Sequence, residues 1–538
     1  MSTVPRDKNA TNVPDLKAAA DYGAVRAVEE WLGGYYVLEY TACSWPDLTE
    51  TSADTWGFIN SCASWQKRNF VYADGNVWAD DFRSSSDHYA AGHLPAGFDG
   101  IDSVVIGYIS SHGQRINAST FRLIVGGTGH GGCTVSSTQM SLGEHDLRYL
   151  FLSTCQSVST TPGSTWFGPA NGIRAILGYD TLSVDSADYG KFFFENWKRP
   201  GAKTSVSFLD ASWRISHEQT PVAAFFGPDQ STAENLRDNE EYFEHGAISS
   251  NSIAWRWYDA RSLRMGIDMP NVPFMTLHFT EPGEPPAAAE LVARLALRSE
   301  AVAIDTTTVS GDTVCYSADD GSVLAYNTRS ESIDLTLPTF ASSDAVAFTD
   351  EEAVADATDY LTRVQDAMPS SQSGAEGASI ALSPYEIRHT FVASADRAGN
   401  NAGEKLTHVT VVFRQVVAGI PTIGTGGVVE VTLNGAREVC RVRSVLREIA
   451  SVTSGESTFD IATLLARAEE RAVAEILERR FVSGARVVKS EFGFYTADEG
   501  VSQRTAEPTF RVLVEMQSDE FSKLIEKLYL FGELTGEE

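Results

Sequence analysis

The chain of 538 residues is too long for one compact core and fits two or three domains. Its 43% hydrophobic and 10% aromatic content excludes global disorder. With 72 acidic against 42 basic residues, a formal net charge of −30 repels a phosphate backbone and argues against a nucleic-acid partner. No run of about 18 apolar residues is present, so neither a membrane-spanning helix nor a membrane partner is expected. The basic residues are mostly arginine, which fits a salt-loving source and a GC-rich genome equally well. The polar start, MSTVPRDKNATNVPDLK, has no apolar stretch and no twin arginine, so a cytoplasmic location is expected. Cys43, Cys62, Cys133, Cys155, Cys315 and Cys440 lack CxxC spacing, and they are expected to be reduced rather than bridged.

In chain order, residues 19–45 predict a helix and a first strand, and 54–66 a second helix. Residues 103–110, 148–154 and 173–179 are short unbroken apolar runs, the pattern of strands buried on both faces in a parallel sheet. Helical spacing follows at 187–198 and 204–215. The alternation predicts an α/β fold, a mostly parallel sheet sandwiched by helices. Proline and glycine in TEPGEPPAAAE place a boundary near 280, giving domains 1–280 and 281–538. The second reads as α+β. It has helices at 288–298, 351–368 and 459–480, a linker at 369–379, an antiparallel hairpin over 406–435, and a last strand at 508–516.

Two strands of the first half run into reactive side chains. The 103–110 strand leads to Ser111-His112-Gly113 and the 148–154 strand to Cys155-Gln156-Ser157. Catalytic groups of parallel α/β sheets gather at the carboxyl ends of strands. If the two strands are parallel neighbours, His112 can take the thiol proton of Cys155, and the Gly113 N–H can help form an oxyanion hole. Each residue alone is ordinarily bland, a small buried hydrophobe or a satisfied polar group. The pairing carries the inference.

YISSHG and YLFLSTCQS resemble the two hallmark segments of the caspase-like cysteine peptidases of clan CD. NGIRAILGYDTLSVDSADYGKFFFENWK is similar to the strand, acidic loop and aromatic helix after the cysteine in CHAT-type and gingipain-type members. The resemblance covers roughly residues 20–260. It implies a caspase-like sheet, His112 as general base, Cys155 as nucleophile and Gly113 at the oxyanion site. Cys155 is followed by Gln-Ser-Val rather than by arginine and glycine, so aspartate specificity is not implied. The later segment LTHVTVVFRQVVAGIPTIGTGGVVEVTLNG, with EFGFYTADEG and EPTFRVLVEM, resembles propeptides of thermolysin-type and fungalysin-type metallopeptidases over roughly 290–520.

His130 and Cys133 in GTGHGGC also stand close together, but they read as a glycine-rich loop. His88, His93 and His145 lack zinc spacing, and His217 reads as the solvated end of a helix. Asp146, Asp180 and Asp185, and less directly Asp80 and Asp81, are candidate substrate-binding carboxylates near the expected sheet edge. They favour arginine or lysine at the cleaved position.

The expected activity is that of a cysteine endopeptidase acting on a protein or peptide substrate through a thioester acyl-enzyme. It needs no metal or other cofactor. The alternative is a catalytically inactive caspase-like binding or scaffold protein. A non-peptidase hydrolase or transferase on the same dyad is a third class. Residues 281–538 offer no catalytic constellation and are expected to dock on the first domain, masking or shaping its cleft.

Overall fold

The computed structural model describes residues 30–63, 67–83, 100–160, 165–262 apart from 242, 244 and 245, 272–364 apart from 284, 285, 299, 301 and 343, 379–498, and 501–535. The expected helix before residue 30, His88, His93 and the linker at 369–378 lie outside them.

The first half holds β1 (Glu30–Tyr36), α1 (Thr51–Ala63), β2 (Lys67–Ala73) and β3 (Ile106–Ser110). A small three-stranded sheet follows, β4 (Gly113–Asn117), β5 (Thr120–Ile124) and β6 (Thr134–Ser136). Then come β7 (Tyr149–Ser153), β8 (Ala175–Tyr179), α2 (Tyr189–Trp197), α3 (Thr204–Ile215), β9 (Pro221–Gly227), α4 (Gln230–Asn239), β10 (Ser252–Ser262) and β11 (Val272–Phe279). β2, β1, β3, β7 and β8 are successive parallel neighbours, and β9 and β10 continue the sheet antiparallel. Every residue of β3, β7 and β8 is buried, which explains the unbroken apolar runs.

Helices cover one face only among the described residues. Phe58, Ile59 and Cys62 of α1, spaced for one helical face, pack there with Phe192 and Phe193 of α2 and Phe208 and Leu209 of α3. The opposite face is closed by the β4–β6 sheet and irregular chain, through Phe121, Leu123, Val135 and Trp166. A helix sandwich was expected, but no α-helix lies between β3 and β7, and β4–β6 cover the second face instead.

The second half holds α5 (Ala288–Leu295), β12 (Ile304–Ser310), β13 (Thr313–Ala318), β14 (Val323–Asn327), β15 (Ile333–Thr336) and α6 (Asp350–Val364). It continues with β16 (Ile380–Asp396), β17 (Lys405–Val417), β18 (Ile420–Gly424), β19 (Val428–Asn434), β20 (Val439–Val445) and β21 (Ile449–Phe459). α7 (Ile461–Leu477), β22 (Gly484–Thr496), β23 (Thr505–Ala506), β24 (Pro508–Gln517), β25 (Ser522–Leu530) and α8 (Phe531–Thr535) complete it. β10 pairs with β16 over Ser252–Ser262, so one sheet passes from the first half into the second. A division at 280 therefore does not separate two hydrogen-bonded sheets.

The junction is ionic as well. Arg441 reaches Asp210 of α3 at 2.5 Å and Asp334 at 2.7 Å, and Arg388 pairs with Glu430 at 3.2 Å. Burial raises the Asp210 carboxyl, but Arg441 and Arg388 outweigh it and hold that group below its ordinary range. His217, expected on a solvated face, stacks on Trp213 and meets Glu386 at 3.0 Å inside this junction.

The strand at 508–516 is not the last. Leu524, Ile525, Leu528 and Tyr529 recur at helical spacing, yet Ser522–Leu530 forms β25, paired with β24 along its whole length. An existing strand edge overrides a weak local helical pattern.

Candidate active site

β3 and β7 are parallel neighbours with Ser110 opposite Ser153. His112 and Cys155 each stand two residues beyond that pair, so the chain delivers both to one edge of the sheet at the same step. The two segments touch. A Cβ on Gly113 would lie 2.8 Å from the Cys155 carbonyl oxygen and 2.7 Å from the Phe121 ring, which is why glycine follows the histidine. Gly113 opens β4 opposite Leu123. Gln156 turns away with a φ of 54°, in the left-handed region.

Both residues are buried, His112 at 0% and Cys155 at 1% exposure. His112 Nε2 lies 2.9 Å from the Pro46 carbonyl oxygen. A carbonyl can only accept, so Nε2 carries the hydrogen and Nδ1 holds the lone pair of the neutral ring. Among the described residues, Nδ1 has no hydrogen-bond partner. Burial lowers the His112 pKa to about 3 against the Pro46 bond, and the Lys523 ammonium lowers it further. The ring is thus a neutral base with one open nitrogen. Its backbone N–H donates to Tyr40 Oη at 3.0 Å, and the rings of Tyr40 and Phe521 lie against it at 4.8 and 4.1 Å.

Cys155 Sγ accepts the Ser183 N–H at 3.3 Å and lies 3.5 Å from Ser183 Oγ. Lys523 Nζ donates to the same Ser183 Oγ at 2.9 Å. Asp54, on the sheet-facing side of α1, accepts the Tyr108 hydroxyl at 2.7 Å. Burial pushes its carboxyl up to about 6, although bonds from Tyr108, Ser153, Ser110 and Gly190 oppose the rise.

The candidate pocket carboxylates are scattered. Asp146 is exposed and precedes β7, at the strand end opposite Cys155, which corrects its expected placement. Asp180 is at the reactive edge but is neutralised by Arg115 at 2.6 Å and accepts Thr160 Oγ1 at 3.0 Å. Asp185 accepts the N–H and hydroxyl of Thr49 at 2.8 and 3.2 Å, clamping the loop whose Pro46 orients His112. Asp80 pairs with Arg83 at 2.6 Å, and Asp81 accepts the Trp78 N–H at 2.9 Å. None of them presents an unengaged carboxylate beside the dyad.

Cys43 and Cys133 form a disulfide with Cα atoms 5.7 Å apart, which corrects the expectation of reduced thiols throughout. The two lie 90 positions apart, so no local spacing announces the bridge. His130, in the GTGHGGC loop, stacks on Trp78 rather than joining the dyad. No group of three metal-binding side chains is found among the described residues, and no helix there is long and apolar enough to cross a membrane.

Pro46, Ser183 and Lys523 escaped sequence reasoning because each is brought in from more than 25 positions away by backbone geometry, with no motif of its own.

Residues 30–259 match a family model described as a domain of unknown function, DUF6345. The chain is also similar to the crystal structure of an uncharacterized protein from Eubacterium rectale. That likeness has 10% identity and a TM-score of 0.31, and covers 48% of this chain and 82% of that one. No curated protein matches the chain.

Proposed function

We propose that the protein is a caspase-like cysteine peptidase whose nucleophile is Cys155 and whose general base is His112. One observation carries the reading: the Pro46 carbonyl fixes the tautomer of a buried neutral imidazole and leaves Nδ1 open, on the strand next to a buried thiol. In the proposed reaction, Nδ1 takes the Cys155 proton as Sγ bonds to the carbonyl carbon of an extended peptide. The tetrahedral adduct collapses to a thioester and expels the amine, which leaves with the proton held by His112. Water then attacks the thioester, giving its proton to Nδ1; the carboxylic acid departs and Sγ recovers its hydrogen. Gly113, pressed against the Cys155 carbonyl, supports the placing of an oxyanion site between the two segments.

The complete burial of both residues supports a second reading, a catalytically silent binding protein on the same fold. Digestion of a mixed peptide library by the full chain and by Cys155→Ala separates the two. Peptides released by the wild type and absent with Cys155→Ala are expected. Identical products from both forms remove the peptidase reading.

A further inference from the structure

The cover over the dyad comes from the start of β25. Phe521 is sandwiched between the His112 ring at 4.1 Å and the Trp45 ring at 4.6 Å. Lys523 sends its ammonium to Ser183 Oγ, whose backbone N–H meets Cys155 Sγ. Side chains two apart point to the same side of an extended chain, so one strand face presents both to the dyad. The main chain is held as well. Leu524 donates its N–H to the Ser183 carbonyl at 3.3 Å and accepts the Asp185 N–H at 2.9 Å, a parallel bridge with Val184. This is how an extended peptide adds to an exposed strand edge: main-chain bonds hold it and alternate side chains enter pockets.

Lys523 gives the arrangement its meaning. It is 1% exposed, and no carboxylate is ion-paired with it among the described residues. A buried ammonium facing a hydroxyl costs stability that an apolar residue of similar volume would not. The turn leading into this segment, Ser518–Glu520, borders an open groove of about 530 Å³ lined by Cys43, Trp45 and Phe481. Opening the site from that side means parting Ser522–Leu524 from Gln517, Met516 and Glu515 at the end of the β24–β25 ladder.

We infer that Phe521–Leu524 is an internal ligand of the site, and that its external counterpart is an extended peptide with an aromatic residue followed, two positions on, by a lysine. The occupancy stands on contacts alone; the consequence for hydrolysis rests on the peptidase reading. The preference for a basic residue then comes from Ser183 and the space that Lys523 fills, not from the acidic loops.

The test uses the full chain carrying Phe521→Ala and Lys523→Ala, with folding checked by its thermal transition. Alkylation of Cys155 by iodoacetamide is followed by mass spectrometry, with buried Cys62, Cys315 and Cys440 as internal controls. Cys155 is expected to react at least about tenfold faster than in the wild type while the controls stay unchanged. The synthetic peptide SDEFSKLIE, residues 518–526, is expected to slow it again. A second form, with a site-specific protease sequence inserted between Asp519 and Glu520 and cut after folding, gives the same readout if the double variant does not fold. Rates within twofold of the wild type in the folded forms, or no protection by the peptide, overturn the inference. Fast, peptide-protected labelling without Cys155-dependent hydrolysis leaves the inference standing and removes the peptidase reading. Equal hydrolysis by wild type and opened form does the reverse.

Discussion

The parallel and antiparallel regions of the one sheet use their strand ends differently. In the parallel region, β3 and β7 must each be followed by a crossover, and the chain leaving them carries His112 and Cys155 to a common edge. In the antiparallel region, neighbours such as β16 and β17 or β24 and β25 are joined by short returns. What that region lays across the other region's edge is the start of β25, where Leu524 bridges to Val184. Their interiors differ too. β3, β7 and β8 bury almost only apolar groups, whereas β16, β19 and β20 bury Arg388, Glu430, Arg441 and Arg443. One sheet thus runs through both regions, and the far one covers the candidate site.

The largest test of that unity is removal of the second region. A chain ending at Pro282 loses β16, which pairs with β10 over eleven positions, and leaves Asp210 without Arg441 or Arg388. No cooperative thermal transition by circular dichroism is expected. A sharp melt would show two independent domains, as the sequence boundary implied.

Next comes the ionic junction. Arg441→Ala strands the Asp210 and Asp334 carboxylates, and the expected loss is about 3–5 kcal/mol in urea unfolding. A loss below about 1 kcal/mol would mean that the β10–β16 ladder holds the regions together unaided.

The Asp54 carboxyl titrates at about 6 in the folded chain against 3.8 as its ordinary value. Between those values the folded state binds the extra proton. The stability contributed by protonated Asp54 is therefore complete below its ordinary value and is lost as pH rises through about 6. At 1.36 kcal/mol per unit the loss is about 3 kcal/mol. Relative to wild type, Asp54→Asn is expected to gain about that much between pH ~4 and pH ~8 in denaturant titrations. Parallel pH profiles for the two proteins would place the carboxylate in contact with water.

The smallest effect is expected at the contact between the two reactive segments. Gly113→Ala puts a methyl 2.8 Å from the Cys155 carbonyl and should cost about 1–3 kcal/mol. Slower Cys155 alkylation should accompany the loss in forms with the 521–524 segment opened. An unchanged melting temperature would show that the two segments separate freely.

That His112 and Cys155 follow neighbouring buried strands was legible before folding. The apolar runs ending in Ser-His-Gly and Thr-Cys-Gln are local signals, and burial on both faces leaves such runs few other structures. Asp146 was misplaced because proximity in sequence to a strand does not say which end of it is near the chemistry. Asp185 lies at the right edge, but its carboxylate is engaged with Thr49, a partner 136 positions away. β25 was missed because apolar residues at i, i+1, i+4 and i+5 satisfy a helix as well as a strand.

By itself, then, the order of amino acids determined the parallel core, the placing of His112 and Cys155 at its edge, and the glycine that lets their backbones meet. These depend on periodicity and on side-chain size, which act over a few neighbouring positions. Tertiary structure alone decided that Pro46 sets the His112 tautomer, that Cys43 bridges to Cys133, and that Phe521 and Lys523 close the site. Each of these is a contact between segments far apart in the chain. Such contacts form only after the sheet has brought distant segments together, because a hydrogen bond, a disulfide or a ring stack depends on distances in space that composition and spacing do not encode.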